Sequence, residues 1–218
     1  MKSKLLTMAA LAAAPLFSAG FAPGAMAAIE LQLTSGVSTT TIVGAGGVVS
    51  FSGTVGAWTI NLSNGLSLAP GTTSIDLSSI NATSTAGALP LDIELTDNGF
   101  TTTPASFTLQ GTGHIVGAGA VTFNAYTDAN TLFSHAIPIG TLGPFSAAYN
   151  ASGTFAVTPS TVPYELTEQL VLSAGAGGVE WSTDSSIVAN VPEPASLTLL
   201  GSAILGLGWL GRRRRKTV

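Results

Sequence analysis

The most informative absence in this sequence is positive charge. All seven Lys and Arg residues of the 218-residue chain lie near its ends, and none occurs between Leu5 and Gly211. All eleven Asp and Glu residues fall within that interval. Nucleic-acid recognition depends on Lys and Arg side chains that neutralise phosphates. The uncompensated acidic stretch therefore excludes DNA and RNA as partners.

Cysteine is also absent, which excludes disulfides, thiolate metal sites and a cysteine nucleophile. Between the two ends there is no long hydrophobic run and no extended helical spacing of apolar residues. The chain is 45 % hydrophobic and long enough for one well-buried domain, but too short to predict two. Stability must then come from packing alone.

The N-terminal segment has the three parts of a secretory signal. Lys2 and Lys4 precede an apolar section, which ends at Ala25-Met26-Ala27. This pattern predicts a signal peptide over residues 1–27, with Ala25 and Ala27 as the small residues of the cleavage site. The alternative is an uncleaved membrane anchor, but prolines and glycines interrupt the apolar run. The expected partners are the secretion translocon and signal peptidase.

The C-terminal segment has the pattern of a minimal membrane span. Residues 195–211 carry no charge and would reach about 25 Å as a helix, the lower limit for a bilayer. Trp209 stands where an interfacial aromatic would lie. A basic cluster over residues 212–216 follows, and its arginines form the predicted cytoplasmic stop: Arg212, Arg213, Arg214 and Arg215. The preceding domain would then lie outside the inner membrane.

Directly before that span stand Pro192, Glu193 and Pro194. Each proline fixes its own φ and pushes the preceding residue out of the helical region, so the segment is predicted to be stiff and extended. The order VPEP, apolar segment, RRRR resembles the PEP-CTERM sorting signal of bacterial exported proteins.

The resemblance to that family covers residues 191–216, within a sorting tail assigned to residues 191–218, and implies sorting by an exosortase. It assigns the recognition motif to residues 191–194, with Pro192, Glu193 and Pro194 at its centre, the span to residues 195–211 and the stop to the arginines. It also implies a mature protein associated with extracellular polysaccharide or a biofilm matrix. Because exported domains of such proteins differ widely, the resemblance concerns sorting only.

Residues 28–190 show repeated alternation of apolar residues with Thr and Ser, which predicts β-strands. The fold predicted for this exported domain is all-β, an antiparallel β-sandwich of jelly-roll or Greek-key type. Turns are predicted at Asn64-Gly65, Pro70-Gly71, Asn98-Gly99, Gly143-Pro144 and Gly177-Gly178. Inward positions are predicted for Phe51, Val55, Trp58, Ile60, Leu62, Ile75, Leu77, Leu91, Ile93, Leu95, Phe107, Leu109, Phe123, Phe155, Leu170 and Leu172.

No catalytic residue and no cofactor is predicted. His114 and His135 are the only histidines, and neither belongs to a metal-binding or catalytic motif. The densest acidic cluster contains Asp92, Glu94 and Asp97, whose oxygens are a weak candidate for binding Ca²⁺. A solvated strand face followed by a turn is the better interpretation of that cluster, so no metal site is assigned.

These observations predict a non-enzymatic cell-surface or matrix protein, sorted through its Pro-Glu-Pro signal and linked to exopolysaccharide or biofilm. Two alternatives remain open. One is a carbohydrate- or Ca²⁺-binding adhesin that uses the acidic cluster. The other is a polysaccharide hydrolase, which needs a pair of carboxyl groups in a cleft. Its candidate carboxyl groups belong to Asp76, Asp92, Glu94, Asp128, Glu165, Glu168 and Glu180.

Overall fold

A computed structural model describes residues 29–67, 73–129, 131–192, 200–202 and 204–205. The predicted signal peptide and the arginine stop lie outside these residues, as do Glu193 and Pro194. Of the predicted span, only residues 200–202 and 204–205 are described, and they are helical. Over the described ranges, no helix reaches the length and hydropathy that a membrane crossing requires.

The protein is all-β, with 72 % strand and 3 % helix, as its alternating sequence predicts. Ten strands form one antiparallel, nearly closed sheet. They are β1 (Glu30–Ser35), β2 (Ser38–Val43), β3 (Val48–Val55), β4 (Trp58–Ser67), β5 (Ser74–Ser84), β6 (Leu91–Phe100), β7 (Ser106–Asp128), β8 (Ile137–Phe145), β9 (Tyr149–Phe155) and β10 (Tyr164–Asn190).

Two long strands organise the sheet. β7 has 23 residues and β10 has 27, and the two pair with each other along most of their length. The beginning of β10 pairs with β6 and its end pairs with β5. The end of β7 pairs with β8 and its beginning pairs with β9. The sheet therefore has two halves, half 1 in the order β2-β1-β6-β10-β7-β8 and half 2 in the order β3-β4-β5-β10-β7-β9.

The inward faces of the two halves share one apolar core. The ring of Phe123, in half 1, lies 5.6 Å from the ring of Tyr149, in half 2. Every residue predicted to point inward is buried, except Phe51 and Phe155, which are half-buried against the core. Phe100 and Tyr164 are further buried aromatics, with ring centroids 5.6 Å apart. Each large side chain buried in this way stabilises the fold by about 1.5–3 kcal/mol.

Four of the five predicted turns are wrong, because those dipeptides lie inside β4, β6, β8 and β10. The fifth, Pro70-Gly71, lies outside the described residues. Gly99 and Gly178 have φ of 84° and 79°, a left-handed conformation that lets a strand bulge without ending. Gly65 is required for packing, because a Cβ there would lie 2.7 Å from Val49 Cγ1. These glycines mark irregularities within strands.

Candidate functional site

The sorting motif begins where the hydrogen bonding of the sheet ends. Asn190 is the last residue of β10, and its Nδ2 donates to Ser106 Oγ at 3.0 Å and to Thr108 Oγ1 at 2.9 Å. Its carbonyl oxygen accepts from Ala105 N at 2.9 Å. Val191 and Pro192 follow and are exposed. The tail therefore leaves the sheet at a strand end that is held by the hydrogen bonds of Asn190.

A second feature is a row of polar side chains across the outer face of half 1, here called the polar ladder. The register of six strands aligns its members, which are Thr41, Gln32, Glu94, Gln169, Asn124 and Thr141. Gln169 is at the centre, with its Nε2 donating to Glu94 Oε1 at 3.0 Å and its Oε1 accepting from Asn124 Nδ2 at 3.0 Å. Thr141 Oγ1 donates to Asn124 Oδ1 at 2.9 Å, so the ladder is largely satisfied internally.

His135 packs over the ladder. Its Nε2 lies 3.1 Å from Glu94 Oε1, and its ring stacks on Tyr126 with centroids 4.2 Å apart. Within the described part of the chain, this is the one pairing of a basic with an acidic side chain. Burial raises the pKa of Glu94, and the charge of His135 partly opposes that shift. The segment containing His135 is thereby held against the face of the sheet.

Beside the ladder lies a carboxyl group that is closed off from solvent. Glu165 is fully buried, and its Oε1 accepts from the hydroxyls of Thr96 and Thr167. Its Oε2 has no hydrogen-bond partner among the described residues. Burial raises the pKa of Glu165 to about 8, so the carboxyl is protonated at neutral pH.

The structure does not bring the three calcium candidates together. Asp92 and Glu94 point to the outer face of half 1, whereas Asp97 shares the inward alternation of Ile93 and Leu95 and is 2 % exposed. Burial raises the pKa of all three carboxyls. Among the described residues, no three His, Asp or Glu side chains are grouped closely enough to hold a metal ion.

The seven carboxyl groups considered for hydrolysis lie in three parts of the fold: the core, half 2 and the outer face of half 1. Glu168 alternates with the core residues Leu166 and Leu170 and is fully buried, and this burial raises the pKa of its carboxyl well above the usual value. Asp76 and Glu180 belong to half 2, on strands β5 and β10. The remaining four belong to the outer face of half 1: Asp92, Glu94, Asp128 and Glu165.

The outer face of half 2 carries a third feature, here called the polar grid. Its six exposed side chains form two rows across β3, β4 and β5, namely Ser52-Asn61-Asn81 and Thr54-Thr59-Thr83. They line a shallow depression of about 380 Å³. None of the six side chains hydrogen-bonds to another described residue. Alternation in the sequence predicts the outward positions of these side chains but does not give the register that aligns Asn61 with Asn81, so the grid is not predicted from the sequence.

A second depression, of about 440 Å³, lies farther along half 2. Asp76, Asp184, Gln110 and Asn150 are among the residues that line it. Unlike the grid, it contains carboxylates that already accept hydrogen bonds: Asp76 accepts from Ser78, and Asp184 accepts from the backbone N–H of Ser79. Of the two depressions, the grid is therefore the one whose side chains have no hydrogen-bond partner among the described residues.

Comparison with known proteins identifies the tail. Residues 190–215 match the model of the PEP-CTERM protein-sorting motif, which confirms the resemblance seen in the sequence. The motif implies an exported, membrane-transiting, cell-surface protein that is processed by an exosortase. It covers only the end of the chain and assigns nothing to the sheet. Among curated proteins, none matches this chain.

Solved structures similar to the chain are distant from it. Tailspike protein 4 of bacteriophage CBA120 is 11 % identical with a TM-score of 0.35, covering 62 % of this chain and 19 % of that one. A chain of infectious bursal disease virus, Gx strain, is 12 % identical with a TM-score of 0.36, covering 78 % and 57 %. A CBM4 structure is 12 % identical with a TM-score of 0.28, covering 58 % and 89 %. These likenesses are too weak to inform function.

Proposed function

We propose that this chain is a non-enzymatic cell-surface or extracellular-matrix protein, delivered by its N-terminal signal and released from the inner membrane by an exosortase. The signal peptide is removed by signal peptidase after passage through the translocon. The two halves of the sheet act as the two layers of the sandwich that the sequence predicts. An association with exopolysaccharide or biofilm completes the proposal.

The observation that carries the proposal is the position of the sorting motif. The match begins at residue 190, the last residue of β10, and Asn190 is fastened to Ser106 and Thr108. Cleavage in the motif would therefore remove no hydrogen bond of the described sheet. A domain built in this way can be released without losing a strand.

The non-enzymatic part of the proposal is supported by the burial of two candidate carboxyl groups, and by the hydrogen bonds that Asp76 and Asp184 in the second depression already accept. Paired carboxyls about 5–9 Å apart in a cleft are needed for glycoside hydrolysis. Glu165 and Glu168, on opposite faces of β10, are both fully buried. A carbohydrate-binding adhesin is the second candidate, and the unpaired side chains of the polar grid favour it over a Ca²⁺-dependent one.

Expression of the full chain with and without a cognate exosortase tests the proposal. With the enzyme present, mass spectrometry of the mature protein is expected to show loss of the arginine stop and of most of residues 195–211. Replacing Pro192, Glu193 and Pro194 together by Ala is expected to prevent this processing. Val37→Ala, an exposed change outside the motif, is the matched control and should be processed. A mature C-terminus still at Val218 in the presence of the enzyme would contradict the proposal.

A further inference from the structure

The polar grid differs from ordinary solvated strand surface in the regularity of its groups. Ser52 stands opposite Asn61, and Asn61 stands opposite Asn81. Adjacent strands lie about 4.8 Å apart, and successive residues on one face of a strand about 6.8 Å apart. The two rows therefore present four hydroxyls and two carboxamides over an area comparable to one or two sugar rings.

Each grid side chain can donate and accept hydrogen bonds. A hydroxyl supplies one donor and two acceptor lone pairs, and an Asn carboxamide supplies two donors and an acceptor oxygen. Because none of the six bonds to another described residue, this capacity is available to a ligand. On the polar ladder, by contrast, Gln169 and Asn124 are already bonded to neighbouring side chains. Of these two surfaces, the grid is the one whose hydrogen-bonding groups have no partner among the described residues.

The charge of the protein restricts which ligand the grid can take. There is no Lys or Arg between Leu5 and Gly211, so phosphate, sulfate and carboxylate groups of a ligand would find no Lys or Arg partner in the sheet. His114 continues the row of Asn81 but is separated from it by Ser182. Glu180 lies opposite Thr83 at the edge of the grid and would repel an anion. Anionic glycans and nucleic acids are thereby disfavoured, and an uncharged ligand is favoured.

The size of the grid side chains argues against a protein partner. Interfaces between proteins depend on a few large anchors, mostly Trp, Tyr and Arg. No side chain of the grid is aromatic, and none is larger than Asn. A partner that brings its own closely spaced hydroxyl groups, and needs no apolar anchor, fits this surface better.

We propose that the polar grid of half 2 is a binding surface for a neutral polysaccharide, with Asn61 and Asn81 as its central contacts. This inference rests on the proposed function, because a protein at the cell surface or in the matrix is exposed to polysaccharide. Binding at one grid is weak, since there is no aromatic platform on which a sugar ring can stack. Retention on a polymer therefore depends on many copies of the sugar unit.

Affinity electrophoresis of the full chain in detergent micelles tests the proposal. Native gels would contain dextran, galactomannan or xylan as neutral probes, alginate as an anionic probe, or no polysaccharide. The protein is expected to be retarded by at least one neutral polymer and not by alginate. Asn61→Ala with Asn81→Ala should weaken the affinity measured from the retardation about tenfold, because the hydrogen bonds of two central carboxamides are lost.

A second pair of variants separates the grid from general effects of substitution. Thr59→Val with Thr83→Val keeps side-chain shape on the grid and should also weaken retardation. Thr39→Val with Thr41→Val changes exposed threonines of β2 in half 1 and should leave it unchanged. Melting temperatures of all variants show whether each is folded.

Two results would overturn the inference. One is the absence of retardation by every neutral polymer, and the other is equal retardation of wild type and both grid variants. Concentration-dependent self-association that the grid variants abolish, without any glycan effect, would make the face an interface between copies of the chain and would also overturn it. Tail processing plays no part in these measurements, so failure here is distinguishable from failure of the sorting proposal.

Discussion

The outer faces of the two halves carry similar residue types but use them differently. On half 1, the polar ladder bonds its amides, carboxylates and hydroxyls to one another, and His135 packs above it. On half 2, the polar grid leaves its hydroxyls and carboxamides without partners in the described chain. Composition alone therefore does not distinguish a face that stabilises the fold from one that is available to a ligand. The hydrogen-bond inventory of each face does.

The two faces also differ in the burial of their carboxyl groups, since Glu165 on half 1 is fully buried and Glu180 on half 2 is exposed, and pH provides the strongest test. Burial raises the pKa of Glu165 from 4.5 to about 8. The folded state then retains a proton that the unfolded chain loses above about pH 4.5, so stability is greatest at acid pH and falls as pH rises towards 8. The slope approaches about 1.4 kcal/mol for each pH unit. Burial also raises the pKa of Glu168, so this second carboxyl further lowers the stability of the fold as pH rises.

Glu165→Gln, which keeps the shape of the protonated carboxyl, is expected to stabilise the protein at pH 7.5 and to flatten this pH dependence. Urea unfolding at pH 5 and pH 7.5 measures both effects. Glu180→Gln, an exposed change on half 2, is the matched control and should leave the stability within about 0.5 kcal/mol. Identical pH slopes for wild type and Glu165→Gln would show that the buried carboxyl does not control stability in this range.

Gln169→Ala breaks the centre of the polar ladder and is expected to have the next largest effect. The change removes the partner of Glu94, Asn124 and Tyr126, whose OH donates to Gln169 Oε1 at 3.3 Å. Half-buried polar groups left without partners cost about 1–3 kcal/mol each, of which water recovers a part. The free energy of unfolding should fall by about 2–4 kcal/mol. A fall below about 0.5 kcal/mol would mean that the ladder contributes no more than exposed polar surface.

The sequence predicts much of this fold and little of the difference between its faces. Period-two alternation identifies the antiparallel all-β class and the inward residues, because burial on one face follows directly from strand geometry. It divides β7 and β10 into shorter strands, because a glycine pair such as Gly177-Gly178 resembles a turn when it forms a bulge. Contacts such as Gln169 with Glu94 join residues 75 positions apart, and only the register of the sheet determines them.

The sorting tail, by contrast, can be identified from the sequence alone. Its motif is contiguous, so the order of proline, apolar and arginine segments is readable without any tertiary structure, and the match to residues 190–215 confirms it. The calcium candidate shows that residues close in sequence are not always brought together by the fold. Asp92 and Glu94 share a face because they are two residues apart, whereas Asp97 takes the inward alternation and leaves the cluster.

Asn61→Ala with Asn81→Ala is expected to have the smallest effect on stability, and this is what makes it informative. Both side chains are exposed and bond to no other described residue, so the free energy of unfolding should change by less than about 0.5 kcal/mol. Urea unfolding beside Gln169→Ala gives the comparison between grid and ladder directly. If the grid variant loses as much stability as the ladder variant, the two Asn side chains serve the fold, and the contrast between the two faces fails. If it does not, any loss of glycan retention in the same variant is a property of the surface rather than of folding.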